Sequence, residues 1–243
     1  MISGDRLSAM ISLIKELFNE WTQGLDTRDS MVSIFTHIRD IPYSLTVPAS
    51  GYKSSIEQLL DAGKGSCGPK HYLLAEMFRK LNLSVVYATI PFLWDDPDLD
   101  YPPRLREMAK ALPIAYHLAC RVQVGCHWVL VDATWDRPLA PAGFPVNDQW
   151  DGYSETRCAV KSLKDPVPAA FCQTLHNKTP RTKEDFCRVD DEKDHWQVED
   201  RDRYYRQKVA IRTPDEMIRL AAFYRDFESW IIGVRHHKQR FQD

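Results

Sequence analysis

Two runs of alternating apolar and polar residues, over 116–124 and 127–134, constrain the fold more than any other part of the sequence. The dipeptide Gly125-Cys126 separates them and is typical of a two-residue hairpin turn. Such a turn fixes the register, because it pairs the two residues that flank it. One face of the predicted hairpin is then almost wholly apolar and is the expected core face: Leu118, Cys120, Val122, Val124, His127, Val129, Val131 and Ala133.

The opposite face of this hairpin carries a histidine and a carboxylate. His117 and Asp132 become diagonal neighbours, with backbones roughly 7–8 Å apart, close enough for a side-chain hydrogen bond. A carboxylate beside a histidine fixes its tautomer and stabilises the imidazolium, as a general base requires. An odd-length loop would separate the pair, so the prediction depends on register. The mixed face consists of His117, Ala119, Arg121, Gln123, Trp128, Leu130, Asp132 and Thr134.

Helical periodicity dominates the N-terminal part of the chain. Apolar residues over 6–21 predict an amphipathic helix. A second helix is expected to start at a Ser30 cap and to stop before Pro42. A third is expected to follow Ser54, which has capping-box spacing, and to close at Gly63.

A fourth helix is predicted immediately after Cys67. Pro69 suits its first turn. The unpaired N–H groups and partial positive charge of a helix N-terminus favour a thiolate at Cys67. The apolar stripe of this fourth helix consists of Leu73, Leu74, Met77, Phe78 and Leu81. The other five cysteines lack this setting: Cys120 in a strand, Cys126 in a turn, and Cys158, Cys172 and Cys187 in a region without assigned elements.

The segment between the fourth helix and the hairpin changes character. The β-branched run Val85–Ile90 predicts a strand. Residues 91–113, rich in Pro and Asp, predict an irregular excursion with a short helix near 104–111. Trp94 in this excursion could wall a substrate cleft, and a plain surface loop explains the composition equally well.

The C-terminal part has little pattern until its end. Residues 136–212 suggest no elements, and the charged tract 181–206 mixes both signs, which is typical of a solvated face or loop. Order returns at Thr213, a cap before a long amphipathic helix. Its apolar positions are Met217, Leu220, Ala221, Tyr224, Phe227, Ile231 and Val234.

Composition restricts the class of protein. A formal charge of -2 and a pI near 6.4 give no basic field for nucleic acid. No apolar run approaches the ~20 residues of a membrane span, and the N-terminus lacks the layout of a secretory signal. The six cysteines are too few and too irregular for a disulfide scaffold. We therefore expect a cytoplasmic protein with free thiols.

Three segments in order carry a family resemblance: IRDIPYS, then EQLLDAGKGSCGPKHYLLAEMFRKLNLSVVYAT, then HLACRVQVGCHWVLVDATWD. Together, from Val32 to Asp136, they resemble the transglutaminase-like superfamily, a circularly rearranged relative of the papain fold. The chain departs from the family pattern at Ala119, where an aromatic residue is usual, and in the long excursion at 91–113.

The resemblance implies an α+β fold, with a helical N-terminal half, the nucleophile helix on an antiparallel sheet and a long C-terminal helix. By that resemblance Cys67 is the nucleophile, His117 the base and Asp132 the orienting acid. Trp94 and Trp128 are predicted to bind substrate. We expect one domain over 1–243, with a core at about 30–136 and an extension at 137–243.

The resemblance also implies the reaction class. It points to acyl transfer on an amide through a thioester, with a protein or peptide substrate and no cofactor or metal. Hydrolysis is expected rather than crosslinking, since no accessory β-domain is visible. Three side chains are guesses for a second oxyanion donor: Tyr43, Gln58 and Tyr52.

Two alternatives remain open at the level of sequence. A non-catalytic transglutaminase-like module could serve protein binding, although such members usually lose a triad residue. A metal site could draw on His117, Cys120, Cys126 and His127, with Cys158, Cys172 and Cys187 further along the chain, but none of these forms a usual ligand spacing.

Overall fold

The structure, a computed structural model, describes residues 4–45, 52–163, 188–189 and 210–239. Most of the charged tract at 181–206 lies outside the described residues. The elements follow in chain order: α1 (Gly4–Thr22), α2 (Thr27–Asp40), α3 (Tyr52–Ala62), α4 (Cys67–Lys80), β1 (Val85–Phe92), α5 (Pro103–Lys110), β2 (Ala115–Val124), β3 (His127–Val131), a 3-10 helix (Arg137–Ala142), β4 (Arg188–Val189) and α6 (Pro214–Gln239).

The predicted helices are present, and two of their starts were wrong. The α2 helix begins at Thr27, because the side chain of Asp26 caps it by accepting the Asp29 N–H at 2.8 Å. Ser30 lies buried inside that helix. The α3 helix begins at Tyr52, so Ser54 is an internal residue. In both cases a serine that resembles a cap in sequence lies within the first turns.

The hairpin has the predicted register. Val124 pairs with His127 and Cys120 pairs with Val131, as a two-residue turn requires. The turn residue Gly125 adopts a positive φ of 60°, which glycine tolerates without strain. The strand β3 ends at Val131, earlier than expected, so the next residues continue as an extended segment beyond the ladder.

These strands belong to a four-stranded antiparallel sheet in the order β3-β2-β1-β4. The four N-terminal helices and one face of this sheet form the first core. Two of its buried strand residues, Val85 and Tyr87, belong to β1. The others come from the apolar face predicted for the hairpin: Leu118, Cys120, Val122, Val129 and Val131. On that face Val124 is only partly buried and His127 is exposed beside the turn. A mixed helical and antiparallel architecture of this kind is an α+β fold.

A second core lies beyond the sheet and is strongly aromatic. It joins the excursion after β1, the segment after β3 and the helix α6. The α6 helix starts with a reciprocal capping box, in which Thr213 N–H donates to Glu216 and Glu216 N–H donates back to the Thr213 hydroxyl. The principal buried side chains are Tyr43, Phe92, Trp94, Leu99, Tyr101, Leu105, Trp135, Leu139, Phe144, Leu220, Phe223, Phe227 and Ile231.

Candidate active site

Cys67 is the first residue of α4, as the sequence predicted. Ser66 precedes it in an extended conformation and its side chain makes no capping hydrogen bond. The first amides of the helix therefore have no side-chain cap from Ser66, and their partial positive charge favours an anion at this position. Cys67 is partly exposed, whereas the rest of the first turn is buried. A thiol at this helix start is thus both accessible and favourably placed for ionisation.

The loop before Cys67 is held by backbone pairing. Gly65 forms an isolated parallel bridge with Tyr43. Its N–H donates to Pro42 O at 3.0 Å, and its carbonyl accepts the Ser44 N–H at 3.1 Å. A Cβ at this position would lie 2.5 Å from the Cδ1 atom of Leu59, so glycine permits the close approach.

His117 and Asp132 form the hydrogen-bonded pair that the hairpin register predicted. Nε2 of His117 lies 2.8 Å from Oδ2 of Asp132. The two residues are 2% and 1% exposed. Because water is excluded from this contact, the carboxylate acts on the imidazole with little screening.

Asp132 is held by four donors. Its Oδ1 accepts the backbone N–H and the hydroxyl of Thr134, at 3.2 and 2.6 Å. Its Oδ2 accepts the Ala159 N–H at 2.8 Å in addition to the imidazole. These bonds fix the carboxylate, and the charge of His117 keeps the pKa of Asp132 well below its usual range against the opposing effect of burial.

The imidazole of His117 is also hydrogen-bonded to the side chain of Cys67. Burial alone would lower the pKa of His117, but Asp132 and Cys67 outweigh it and raise the pKa well above 6.5. Nε2 is occupied by Asp132, which leaves Nδ1 as the nitrogen that can face the thiol. An imidazolium between a carboxylate and a thiolate is the charge arrangement of a cysteine nucleophile with its base.

A second histidine, His71, lies on α4 one turn after Cys67. Its Nδ1 lies 2.8 Å from the Cys67 carbonyl and its Nε2 accepts the Ala133 N–H at 3.1 Å. Since Nε2 is an acceptor, His71 is neutral and carries its proton on Nδ1. Burial lowers its pKa to about 4. The separation of 3.6 Å from Asp132 is therefore not an ion pair at neutral pH.

Lys70 is fully buried beneath the site. Its ammonium donates to three carbonyl oxygens: Arg39 at 3.0 Å, Ile41 at 2.8 Å and Thr134 at 2.7 Å. Burial lowers its pKa to about 7 against the opposing effect of nearby carboxylates. Through these bonds α4 is joined to the end of α2 and to the segment that carries Asp132.

Cys158 lies beside the same pair. One ligand atom each of His117, Asp132 and Cys158 fall within 4.8 Å of one another, a spacing that a metal ion could use. Each oxygen of Asp132 already accepts two hydrogen bonds. The trio as arranged is therefore a hydrogen-bonded acid–base pair with a thiol beside it, rather than an open coordination site.

Of the metal ligands considered from sequence, Cys158 lies beside His117, whereas Cys120, Cys126 and His127 lie elsewhere. Cys120 is buried on the opposite face of β2, where its thiol donates to the His71 carbonyl at 3.4 Å. Cys126 and His127 are exposed at the hairpin turn. The four cysteines in the described ranges carry no disulfide: Cys67, Cys120, Cys126 and Cys158.

The two tryptophans predicted to bind substrate lie in different parts of the fold. Trp94 is 5% exposed and packs against Phe223 and Phe227 in the second core, so its placement favours a structural role. Trp128 is half-buried on β3, opposite Gln123. Their binding roles stay predictions.

Tyr43 is one of the three guesses for an oxyanion donor, and its phenol is close enough to Cys67 to be influenced by the charge of that residue. Burial first, and then the thiol, raise the pKa of the Tyr43 phenol. Tyr52 has a buried hydroxyl without a partner in the described part of the chain, and its ring packs edge-on against Tyr72. Gln58 is half-buried on α3.

Sequence reasoning missed four residues around the site: Lys70, His71, Asp136 and Arg235. His71 had a detectable signal, because residues four apart on a helix share a face and Cys67 opens the same helix. The contacts of Lys70 reach residues 29 and 64 positions away in sequence, and no local pattern predicts them.

Comparisons with known proteins add little. No protein-family model matches the chain, and no curated protein matches it. Among solved structures, it is similar to a putative cysteine protease from Cytophaga hutchinsonii, at 18% identity over 57% of this chain and 45% of that chain, with a TM-score of 0.37. The match thus covers less than half of that protein's length.

Within the described residues, no helix is both long enough and apolar enough to cross a membrane. The described residues contain a buried histidine–aspartate pair, His117 and Asp132, with partly exposed cysteines beside the imidazole.

Proposed function

We propose that this protein is a cysteine-dependent acyl-transfer enzyme that acts on amide bonds through a thioester on Cys67. His117 is the general base and acid, and Asp132 orients it. The single observation that carries the proposal is the buried 2.8 Å contact between His117 and Asp132, with the thiol of Cys67 bonded to the same imidazole.

The reaction follows from the charges at this contact. The thiolate of Cys67 attacks the amide carbonyl carbon, and as the C–N bond breaks His117 gives its proton to the leaving nitrogen. The acyl group remains on sulfur as a thioester. Water then attacks the same carbon and passes a proton to His117, the C–S bond breaks, and a carboxylic acid leaves with the thiolate restored.

The oxyanion that forms in each step needs donors. The Cys67 N–H at the start of α4 is suited to this role, since it points outward from the helix N-terminus. Tyr43 is the favoured second donor, because its backbone is bridged to Gly65, just before Cys67, and its phenol is influenced by the Cys67 charge. Tyr52 and Gln58 remain the other candidates.

Hydrolysis by a peptidase or amidase is favoured over crosslinking. The resemblance to the transglutaminase-like superfamily covers the segments that carry all three proposed catalytic residues. The described residues form an α+β core with one small antiparallel sheet. A protein or peptide amide is the substrate class that this chemistry takes.

Cys158 is the rival nucleophile, because it also lies near His117. Its sulfur is close to the Asp132 carboxylate, and a negative charge there disfavours a second thiolate. At Cys67, by contrast, the helix N-terminus and the imidazolium of His117 both favour a thiolate. The two cysteines therefore offer a matched pair of variants.

The experiment measures iodoacetamide labelling of each cysteine against pH by mass spectrometry, in the native chain, His117→Ala, Cys67→Ala and Cys158→Ala. Cys67 is expected to label fastest, with a pH midpoint below the ~8.5 of an ordinary thiol, and to lose this advantage without His117. Cys158→Ala should leave Cys67 labelling unchanged.

Two results would contradict the proposal in different ways. If Cys158 labels fastest and depends on His117, the nucleophile is misassigned. If Cys67 is inert or indifferent to His117, the catalytic proposal fails and a non-catalytic protein-binding module becomes the better hypothesis. A hydrolytic screen with peptide amides follows only from the first, expected outcome.

A further inference from the structure

The C-terminal helix α6 is tied to the segment after β3 by a buried ion pair. Arg235 Nε lies 2.8 Å from Asp136 Oδ2, and its Nη2 lies 2.7 Å from Oδ1. This is a two-pronged contact with fixed geometry. The side chains are 18% and 2% exposed, so solvent screens the pair weakly.

The same pair holds the backbone of Tyr43 from both sides. Nη2 of Arg235 donates to the Tyr43 carbonyl at 2.8 Å. The Tyr43 N–H donates to Oδ1 of Asp136 at 2.8 Å. Since Tyr43 is bridged to Gly65, a continuous chain of bonds leads from α6 to the loop that ends at Cys67.

Glu228, two turns earlier on α6, contacts the residues next to Tyr43 and next to Gly65. Its carboxylate accepts the Ser44 hydroxyl at 2.7 Å and the Leu45 N–H at 3.0 Å. Lys64 lies 3.7 Å away, immediately before Gly65. Glu228 and Arg235 together contact the chain on both sides of the Tyr43–Gly65 bridge.

The helix that carries these two residues is itself fixed. It buries Phe223, Phe227 and Ile231 in the second core, each fully. The ring of Tyr43 packs on Trp135 with centroids 4.3 Å apart. A long helix packed in this way is a rigid support, because its buried side chains cannot shift without leaving voids.

We propose that Arg235 and Glu228 are positioning residues for the nucleophile, which they hold through Tyr43, Ser44 and the Gly65 loop. The proposal rests on the proposed function of Cys67 and extends the site to a helix more than 140 residues away in sequence. Cys67 and His117 stand on different elements, so their contact depends on where the loop before α4 is held. Displacement of a reacting group by about 1 Å costs on the order of 100-fold in rate.

The test compares Arg235→Ala, Arg235→Lys and Glu228→Gln with the matched control Arg225→Ala. Arg225 lies on the same helix, is 71% exposed, and contacts its neighbour Asp226. Two readouts are taken on the full chain: the pH profile of Cys67 labelling by iodoacetamide, and amide hydrogen exchange at 43–45 and 64–67.

Arg235→Ala is expected to slow Cys67 labelling near neutral pH roughly 10-fold or more and to raise exchange at both segments. Arg235→Lys should label faster than Arg235→Ala but slower than the native chain, because an ammonium keeps one charged hydrogen bond to Asp136 and loses the two-pronged guanidinium contact. Glu228→Gln should give a smaller loss while it preserves shape. Arg225→Ala should stay within about twofold of the native chain.

Unchanged labelling and exchange in Arg235→Ala would overturn the inference and leave the proposed function intact. A rise in exchange spread evenly over α1 and α2 would also overturn it, since the role would then be global stability. If native Cys67 shows no His117-dependent reactivity, the proposed function fails instead, and local exchange at 43–45 and 64–67 still decides whether α6 positions the loop.

Discussion

The two cores of this protein are built on different principles. The first core combines helices and strands that follow one another in the chain, each with a regular apolar period. The second core joins an irregular excursion, the segment after Asp132 and a helix from the far end of the chain. Its aromatic rings meet at centroid distances such as 5.1 Å for Trp94 and Phe227.

The proposed site lies where the two cores meet. Cys67 and His117 lie on elements of the first core. Tyr43, which is bridged to the loop before Cys67, and Trp135, which follows Asp132 in the chain, belong to the second core. A catalytic residue on a regular element is positioned by periodic packing. The loop before Cys67 is instead held through Tyr43 of the irregular second core. That core would therefore help to position the proposed nucleophile.

The largest effect is expected from a cavity in the second core. Phe227→Ala removes a fully buried ring, and such a change costs about 3–5 kcal/mol of the free energy of unfolding. Leu73→Ala in the first core should cost about 2–5 kcal/mol. If the cores are one cooperative unit, both variants unfold in a single transition measured by urea titration.

Two separate transitions in Phe227→Ala would contradict a single cooperative unit, since the two cores would then unfold independently. The control for that variant is Ile232→Ala on the same helix. Ile232 is 42% exposed, so its loss should change the free energy of unfolding by less than about 0.5 kcal/mol.

An acid-dependent effect of intermediate size is expected at the junction of the cores. The pKa of His71 is about 4 in the folded protein, against 6.5 in an unfolded chain. Between pH 6.5 and 4, His71 is protonated in the unfolded state but neutral in the folded state. The free energy of unfolding should therefore fall as pH falls from 6.5 to 4. The loss is at most on the order of 3 kcal/mol.

Comparison with a His71 variant is needed because other groups titrate near both ends of this pH window. His117 and Lys70 contribute near its upper end, since the pKa of an unfolded histidine is 6.5 and the pKa of folded Lys70 is about 7. Asp132 contributes near its lower end, because an unfolded aspartate binds a proton around pH 3.8 whereas the pKa of Asp132 in the folded protein is lower. Urea unfolding of His71→Gln should show a flatter pH dependence from 6.5 to 4 than His127→Gln, whose exposed imidazole serves as control. Equal slopes would contradict the neutral tautomer.

The smallest effect is expected at the loop before the nucleophile. Gly65→Ala places a Cβ against the Leu59 side chain, which is 1% exposed and cannot move freely, at a cost of about 1–3 kcal/mol. Gly68→Ala is the matched control, because nothing lies within 4 Å of its Cβ and alanine favours the helix. Thermal unfolding should separate the two, and equal melting temperatures would contradict the close packing at Gly65.

The sequence predicted the hairpin and its acid–base pair because both depend on local rules. A two-residue turn sets the register, and the register puts His117 and Asp132 on one face. The cap positions failed for a local reason as well: Asp26 outcompetes Ser30 once the helix extends toward it. Trp94, in a Pro-rich segment without periodicity, gave no signal that it would be buried.

Local sequence patterns were enough to predict the helices apart from two of their starts, the antiparallel hairpin, the position of Cys67 at a helix start and the pairing of His117 with Asp132. These features follow from periodicity and turn geometry over short stretches of chain. Only the tertiary structure decided that α6 reaches the loop before Cys67, that Lys70 and His71 lie beneath it, and that Cys158 lies beside the imidazole. The physical reason is that such contacts join segments through buried polar groups, whose partners are chosen by the packing of the whole chain.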